Sequence, residues 1–196
     1  KLGGTKLVLK NKKWFLHISI TREVPEFDAS RPTVVVGIDR GLRFITTSYD
    51  GQKTQFVSGK QIMESEIIIR NLDEITVQGE ALVRSYGPNS LFVLEDLTDI
   101  SFERDLGSWT FYQFEEFLTY KARAVGSLVL KVNAAYTSQR CPRCGKVDKG
   151  QRNHELHEYK CTCGYRSNDD RTGAVNIQEL GRRWISGETN PRITRE

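Results

Sequence analysis

Two short apolar segments, each followed at once by an acidic residue, constrain the fold of this chain more than any other feature. Residues 33–38 (TVVVGI) and 91–94 (LFVL) are continuous apolar runs, which are typical of strands buried on both faces of a sheet. Asp39 follows the first run and Glu95 follows the second. Parallel strands of this kind end at the same edge of the sheet, where open α/β folds bind their ligands. We therefore expect the carboxylates of Asp39 and Glu95 to meet at one edge.

The remaining apolar patterns predict strands and helices around these two segments. In chain order the predicted elements are a β-hairpin (7–9 and 14–20), a three-stranded meander (33–38, 44–49 and 54–57), a helix (63–86), a strand (91–94), a helix capped by Ser108 (108–125), a strand (128–132) and a last helix (171–180). The stripe of Phe111, Phe114, Leu118, Ala122 and Val125 along the second helix is expected to lie in the core. The order βββ-α-β-α-β-α predicts an α/β fold with a mixed sheet flanked by helices.

A third acid, Asp170, lies where the last predicted helix begins, next to Asp169. Three converging carboxylates repel one another, and hard divalent cations with oxygen ligands relieve that repulsion. A pair of Mg²⁺ ions held in this way can hydrolyse phosphodiesters. Each acid also has an ordinary interpretation: Asp39 as a turn residue, Glu95 as the start of a loop, and Asp169 or Asp170 as a helix N-cap.

All four cysteines are confined to one short segment, which predicts a structural zinc site. Cys141 and Cys144 form one pair, Cys161 and Cys163 form a second pair, and sixteen residues separate the two pairs. The second pair is one residue tighter than usual, so His154 and His157 are alternative ligands. Disulfides would be scattered among the elements of a secreted fold, so the cluster indicates a reducing compartment such as the cytoplasm.

The charge and hydropathy of the chain are compatible with a nucleic-acid partner. The net charge is +4, and residues 137–171 carry eight Lys or Arg against five acids. Such a basic surface beside a carboxylate site would suit a phosphate backbone, although ordinary solvated charge explains any single residue equally well. No apolar run approaches the ~20 residues of a membrane span, and no signal peptide is expected. The chain begins at Lys1 and its single Met is Met63, so we expect it to belong to a longer protein.

Four segments together resemble the C-terminal half of the TnpB family. They are GIDRG at 37–41, LEDL at 94–97, YTSQRCPRCG at 136–145 and CGYRSNDDRTGAVNI at 163–177. The family comprises transposon-encoded, RNA-guided DNA endonucleases related to type V CRISPR effectors. The resemblance covers roughly residues 33–180, and residues 1–20 resemble the end of the preceding wedge domain.

The resemblance implies an RNase H-like, RuvC-type fold interrupted by a zinc ribbon. The expected units are the end of a wedge-type β domain (1–30), the RuvC-like nuclease core (31–136), the zinc-ribbon insert (137–166), and the last RuvC-like helix with its tail (167–196). Asp39, Glu95 and Asp170 correspond to the catalytic acids, and the alignment favours Asp170 over Asp169. DNA is the implied target, so the protein is expected in the cytoplasm and at the nucleoid when it is bound to DNA. A guide RNA is the partner implied for the full-length protein.

The sequence departs from the family pattern in two places, and three functions compete. The segment before the second acid is short and acidic, and the loop after Leu97 is also short, which makes guide-RNA binding by this chain alone doubtful. The favoured hypothesis is a Mg²⁺-dependent endonuclease, because all three acids are present. A nuclease-inactive, nucleic-acid-binding relative is the alternative, and a strand-joining transposase is a third. The oligomeric state and the guide are not predicted.

Overall fold

A computed structural model describes residues 1–41, 43–58, 68–98 and 105–195, without the side chains of 68–75 and 105–110. The strands are β1 (Leu2–Lys10), β2 (Lys13–Ile20), β3 (Val35–Asp39), β4 (Phe44–Tyr49), β5 (Thr54–Ser58), β6 (Leu91–Asp96), β7 (Leu128–Asn133), β8 (Arg152–Asn153), β9 (Glu158–Lys160) and β10 (Arg166–Asn168). The helices are α1 (Ile68–Tyr86), α2 (Asp105–Arg123) and α3 (Asp169–Ile185). The predicted order of elements is confirmed over the described residues, and the start of the first helix, predicted at 63, lies outside them.

The central sheet has five strands in the order β5-β4-β3-β6-β7. β3, β4 and β5 form the predicted antiparallel meander, whereas β3 pairs with β6 and β6 pairs with β7 in parallel. The two apolar strands are therefore parallel neighbours, as their sequences predict. A mixed sheet flanked by helices results, in agreement with the expected α/β class.

Alternate residues of β3 and β6 face different helices, because successive side chains of a strand point to opposite faces. Val36, Ile38, Phe92 and Leu94 lie in a core with residues of α1 and α2, including the members Phe114, Leu118 and Ala122 of the predicted stripe. The residues of the other parity, such as Leu91 and Val93, pack against α3. Asp39 and Glu95 share that second parity, so both carboxylates lie on the face of the sheet that α3 covers.

A very close approach of α3 to β3 brings the helix to the site. A Cβ atom added to Gly37 would lie 2.1 Å from the carbonyl oxygen of Ala174. Only glycine at this position of β3 permits the helix axis to come so near. The start of α3 is thereby held over the end of the strand that carries Asp39.

Both predicted helix starts need correction. α2 is described from Asp105 onward, so Ser108 lies inside the helix and is not its N-cap. α3 begins at Asp169 and reaches Ile185, and its N-cap is Asn168, whose side chain accepts a hydrogen bond of 2.9 Å from the amide of Arg171. Asp169 and Asp170 therefore do not cap the helix, and their carboxylates are available for other contacts.

The N-terminal hairpin and the insert form two small sheets of their own. β1 and β2 pair only with each other among the described strands, and their residues are almost all exposed. β8, β9 and β10 form a three-stranded antiparallel sheet that leads directly into α3. Within the described residues, no helix has the length and apolar character needed to cross a membrane.

Candidate metal centres

Three acidic side chains from different elements gather at one edge of the central sheet. Asp39 ends β3, Glu95 lies near the end of β6, and Asp170 lies in the first turn of α3. Each residue is at most 8% exposed. A Cβ atom added to Gly173 would lie 2.9 Å from Oδ1 of Asp39, so the Asp39 carboxyl group lies directly against the α3 backbone.

The electrostatics of these acids reflect their proximity. Burial raises the pKa of Asp39 well above its usual value, and the charges of Glu95 and Asp170 raise it further. Burial, followed by the charge of Asp169, raises the pKa of Asp170, although Arg152 opposes the shift. Burial also raises the pKa of Glu95, against the hydrogen bond from Thr137 and the charge of Arg40. The structure thus brings together the three acids singled out in the sequence.

Two buried groups hold Glu95 in place. The hydroxyl of Thr137 donates a hydrogen bond to Oε1 of Glu95. The guanidinium of Arg40 donates to the backbone oxygen of Glu95 and, at 3.2 Å, to that of Phe111. Neither residue is predicted from the sequence, because both contact Glu95 only through the tertiary fold. Their one sequence signal is adjacency: Arg40 follows Asp39, and Thr137 opens the cysteine segment.

Asp169 and Asp170 have different surroundings, although they are adjacent. The Asp169 side chain is fully buried, and its Oδ2 accepts a 2.8 Å hydrogen bond from Nε of Arg152. The guanidinium of Arg152 lies 3.6 Å from Oδ1 of Asp170. The charge of Asp170 raises the pKa of Asp39 more than the charge of Asp169 does. Asp169 therefore forms an ion pair with the insert, and the choice of Asp170 as the third acid stays a prediction.

The four cysteines form a second compact cluster. Their sulfur atoms lie within 4.8 Å of one another, with Cys141 and Cys163 at 3.7 Å and Cys144 and Cys161 at 3.6 Å. Zn–S bonds of about 2.3 Å in a tetrahedron would separate the sulfur atoms by about 3.8 Å. His157 instead lies beside Asp169, so it does not replace a cysteine. His154 does not belong to the cysteine cluster found in the described residues.

The cysteine thiols have strongly divergent acidities. Burial raises the pKa of Cys141 to about 12. Burial would also raise the pKa of Cys161, but hydrogen bonds from the Cys163 amide and the neighbouring thiols lower it to about 6. Contact between thiols therefore favours one thiolate at a time, and a bound cation would be needed to keep four ionised together. Such a donor set fits a structural zinc ion.

A basic cleft of about 830 Å³ lies between the insert, the end of α3 and the C-terminal tail. Five of its lining residues are cationic and one, Asp148, is acidic: Arg140, Lys146, Arg183, Arg192 and Arg195 provide the positive charge. Lys146 pairs with Asp148 at 3.0 Å, and Arg183 pairs with Glu188. Arg192 and Arg195 supply the cationic groups near the end of the tail.

Comparisons with known proteins agree on one group of relatives. The family described as "Cas12f1-like, TNB domain" matches residues 111–177. The chain is 43% identical over 90 residues to the CRISPR-associated endodeoxyribonuclease Cas12f1 of Sulfoacidibacillus thermotolerans, a match that covers 43% of this chain and 20% of that protein. The TnpB-like protein L79 of Acanthamoeba polyphaga mimivirus is 28% identical over 146 residues, which are 74% of this chain and 26% of that protein.

A solved structure extends the likeness to the fold. The cryo-EM structure of a Cas12f1–sgRNA–target DNA complex matches with a TM-score of 0.58 and 16% identity, covering 89% of this chain and 55% of that one. The matched segments span only about a fifth to a quarter of the curated relatives, between 20% and 26% of their length. The matching family, the sequence relatives and the mixed α/β fold all indicate similarity to Cas12f1-like proteins. The chain is therefore similar in sequence to the Cas12f1 endodeoxyribonuclease and the TnpB-like proteins, and similar in fold to Cas12f1.

Proposed function

We propose that this chain is the DNA-cleaving part of an RNA-guided endonuclease, with an RNase H-like, RuvC-type fold. The observation that carries the proposal is the convergence of Asp39, Glu95 and Asp170 on the α3 face of the sheet, at the ends of parallel strands. A hydrolytic centre for phosphodiesters needs such a group of carboxylates on a rigid scaffold. The relatives named as endodeoxyribonucleases support the same reaction.

The donor atoms fit Mg²⁺, which prefers carboxylate oxygens and readily accepts phosphate oxygens as further ligands. The raised pKa of Asp39 results in part from the charges of Glu95 and Asp170, and a divalent cation would remove that repulsion. Asp39, Glu95 and Asp170 would hold the metal. A bound pair of Mg²⁺ ions would supply an activated water and stabilise the leaving oxygen.

The neighbouring residues have supporting roles in this proposal. Thr137 and Arg40 fix the position of Glu95, so that its carboxylate does not swing away from Asp39. Arg152 lies beside Asp170 and is only partly buried, so its guanidinium can face a phosphate that approaches the acids. A cation in this position would stabilise negative charge that develops on the phosphate during hydrolysis.

The cysteine cluster is proposed to hold one structural zinc ion. Four thiolates leave no open ligand position, so this ion would not take part in hydrolysis. Its proposed effect is to keep the insert folded, including the strand β8 that carries Arg152 and the turn that carries His157. Both residues contact α3 beside Asp170.

The partners proposed for the full-length protein are target DNA and a guide RNA. The neighbouring solved structure is described as a complex with sgRNA and target DNA, which supports this assignment. The basic cleft offers a surface for a phosphate backbone. The proposed units remain those expected from the sequence: 1–30, 31–136, 137–166 and 167–196.

The test compares two adjacent acids of β6 in the full-length, guided protein. Glu95→Gln should lower Mg²⁺-dependent DNA cleavage by at least about a thousandfold, because metal ligands stabilise the transition state by several kcal/mol. Asp96→Asn is the matched control: its side chain is 46% exposed, and it belongs to the same strand. This control should cleave at close to the wild-type rate.

Binding of the guided target separates the enzyme from the alternative function. Both variants should bind the target as tightly as the wild type, because phosphate contacts are spread over a large surface. Equal cleavage by Glu95→Gln and wild type would refute the proposed centre. A wild type that binds its guided target but never cuts in Mg²⁺ would identify a nuclease-inactive binding protein.

A further inference from the structure

Two buried atoms that can each accept a hydrogen bond or bind a metal face each other beside the proposed nuclease centre. Nδ1 of His157 and Oδ1 of Asp169 lie 3.4 Å apart. Neither atom has a hydrogen-bond partner among the described residues, and both are shielded from solvent. The Asp169 side chain is fully buried. An unsatisfied polar group in such a place is unfavourable, which indicates that a partner is missing.

Backbone contacts pin His157 against the start of α3. The backbone oxygen of His157 accepts hydrogen bonds from the amide of Asp169 at 3.3 Å and from Nδ2 of Asn168 at 3.2 Å. His157 itself has a positive φ of 50°, in the turn between β8 and β9. The imidazole is therefore directed to Asp169 by the folded insert and not by a flexible loop.

Arg152 leaves one oxygen of each aspartate available. It donates to Oδ2 of Asp169 and lies 3.6 Å from Oδ1 of Asp170. The other two oxygens face His157, at 3.4 Å for Oδ1 of Asp169 and 4.0 Å for Oδ2 of Asp170. With a neutral imidazole, two carboxylates and one guanidinium leave one uncompensated negative charge.

We propose that His157, Asp169 and Asp170 bind a divalent transition-metal ion. Bonds of about 2.0–2.2 Å at a tetrahedral angle place ligand atoms about 3.4 Å apart, which is the separation of Nδ1 and Oδ1. The three ligand atoms all lie within 4.8 Å of one another. A nitrogen ligand favours Mn²⁺ or Zn²⁺ over Mg²⁺, which prefers oxygen alone.

This site rests on the proposed function only through Asp170, which both centres would share. Asp39 and Glu95 belong to the nuclease centre and not to the transition-metal site. Loss of one centre therefore does not imply loss of the other. That separation makes the two proposals distinguishable by experiment.

The test uses Mn²⁺ as the probe, in the full chain carrying a single equivalent of zinc, which the four thiolates bind first, with Mg²⁺ in large excess to fill sites made of oxygen alone. His157→Asn is the variant of choice, because asparagine tolerates a positive φ. His154→Asn is the matched control, since His154 is an exposed histidine of the same insert. Electron paramagnetic resonance measures free Mn²⁺ and detects nitrogen coupled to bound Mn²⁺. Melting temperatures confirm that each variant folds.

Wild type and His154→Asn should bind one Mn²⁺ with a nitrogen coupling despite the excess Mg²⁺. His157→Asn should bind it at least about tenfold more weakly and lose the coupling, since even the loss of a group that only orients a ligand weakens metal sites tenfold or more. Equal Mn²⁺ binding by wild type and His157→Asn would overturn the proposal, and would leave only a direct contact between His157 and Asp169.

Asp39→Asn distinguishes this proposal from the proposed function. It should abolish guided cleavage while the nitrogen-coupled Mn²⁺ remains. If the coupling disappears in Asp39→Asn, the ion lies between Asp39 and Asp170, and the His157 site is refuted. If cleavage survives in Asp39→Asn while the coupling remains, the nuclease centre is refuted and the His157 site stands.

Discussion

Burial acts in the same direction on the carboxyl groups of Asp39, Glu95 and Asp170. It raises the pKa of each one above its usual value, and neighbouring negative charges raise the pKa of Asp39 and Asp170 further. A carboxyl group with a raised pKa in the folded state binds its proton more tightly there than in the unfolded chain. The folded state therefore loses stability, relative to the unfolded state, as these groups ionise.

The first prediction concerns Asp39→Asn in buffer without added divalent metal. Well below the ordinary carboxyl pKa, both folded and unfolded wild type carry a protonated Asp39, so the variant and the wild type should be similarly stable. As the pH rises from about 4 to 7, the unfolded wild type ionises first, and its folded state becomes destabilised. The free energy of unfolding of Asp39→Asn should then exceed that of the wild type by a margin that grows with pH.

Urea unfolding of both proteins at several pH values measures this margin. Asp28→Asn is a control of opposite sign, because hydrogen bonds from the side chain and amide of Ser30 lower the pKa of Asp28. Its stability relative to the wild type should fall as the pH rises up to the ordinary carboxyl pKa, and should then stay level up to pH 7, where the margin for Asp39→Asn is still growing. Added Mg²⁺ should restore stability to the wild type more than to Asp39→Asn. A pH-independent margin for Asp39→Asn would contradict the raised pKa of Asp39.

At the scale of elements, the packing of α3 on β3 determines whether the acids meet. The helix approaches the strand at Gly37, which faces Ala174 and Gln178 of α3. Asp39 is two residues further along the same face of β3, and Gly173 of α3 lies against its carboxyl group. A side chain at Gly37 would lift the helix and move Asp170 away from Asp39.

The second prediction is that Gly37→Ala destabilises the fold by about 3 kcal/mol or more. Overpacking of a close contact costs typically about 1–3 kcal/mol, and here the clash is with the helix backbone, which cannot rotate away. Gly4→Ala in β1 is the control, because a Cβ atom there meets no atom within 4 Å. Thermal unfolding checks both variants. Equal melting temperatures for wild type and Gly37→Ala would show that α3 is not held by this contact.

The third prediction concerns zinc removal. A chelator selective for zinc should loosen residues 137–166, because their regular structure is limited to short elements, such as β8 and β9, and a small core around Tyr159. The central sheet should stay folded, since β3 and β6 have separate apolar cores on both faces. Hydrogen exchange would locate the change. Rapid exchange at Val36 and Phe92 after chelation would contradict this division.

Local patterns in the sequence predict the elements and the three acids, but not their mutual contacts. Continuous apolar runs reveal β3 and β6, and spacing reveals the cysteine pairs. Arg152, His157 and Asp169 form contacts between the insert and α3, which depend on the path of the chain between them. The hydrophobic periodicity of the sequence does not predict the path of the chain through the insert. The predicted start of α3 is wrong for a similar reason, because Asn168, Asp169 and Asp170 are all residues that can cap a helix.

On the scale of the whole molecule, one concentration of positive charge is the basic cleft, whose lining does not include Asp39, Glu95 or Asp170. The basic cleft joins residues that are distant in sequence, from Arg140 at the first cysteine pair to Arg195 in the tail. Lys146 and Arg183 are neutralised by Asp148 and Glu188. The net charge of +4 alone gives no indication of this arrangement, since the charge is unevenly distributed.

The last prediction is that the basic cleft contacts a phosphate backbone, through the two arginines of the tail. The double variant Arg192→Glu/Arg195→Glu should bind single-stranded DNA at least about tenfold more weakly at moderate salt. Each phosphate that the protein neutralises releases condensed counterions, so the slope of log affinity against log salt should become shallower by about 0.7 for each phosphate that the variant no longer binds.

Arg31→Glu is the control, because this exposed arginine lies near Asn89, before β6 and at the opposite end of the parallel strands from the acids. Fluorescence anisotropy across a salt series measures affinity and slope together. Because the three acids do not line the cleft, the guided protein should still cleave once DNA is saturating. An unchanged slope in the double variant would show that the cleft does not contact the backbone, and that binding depends on other surfaces.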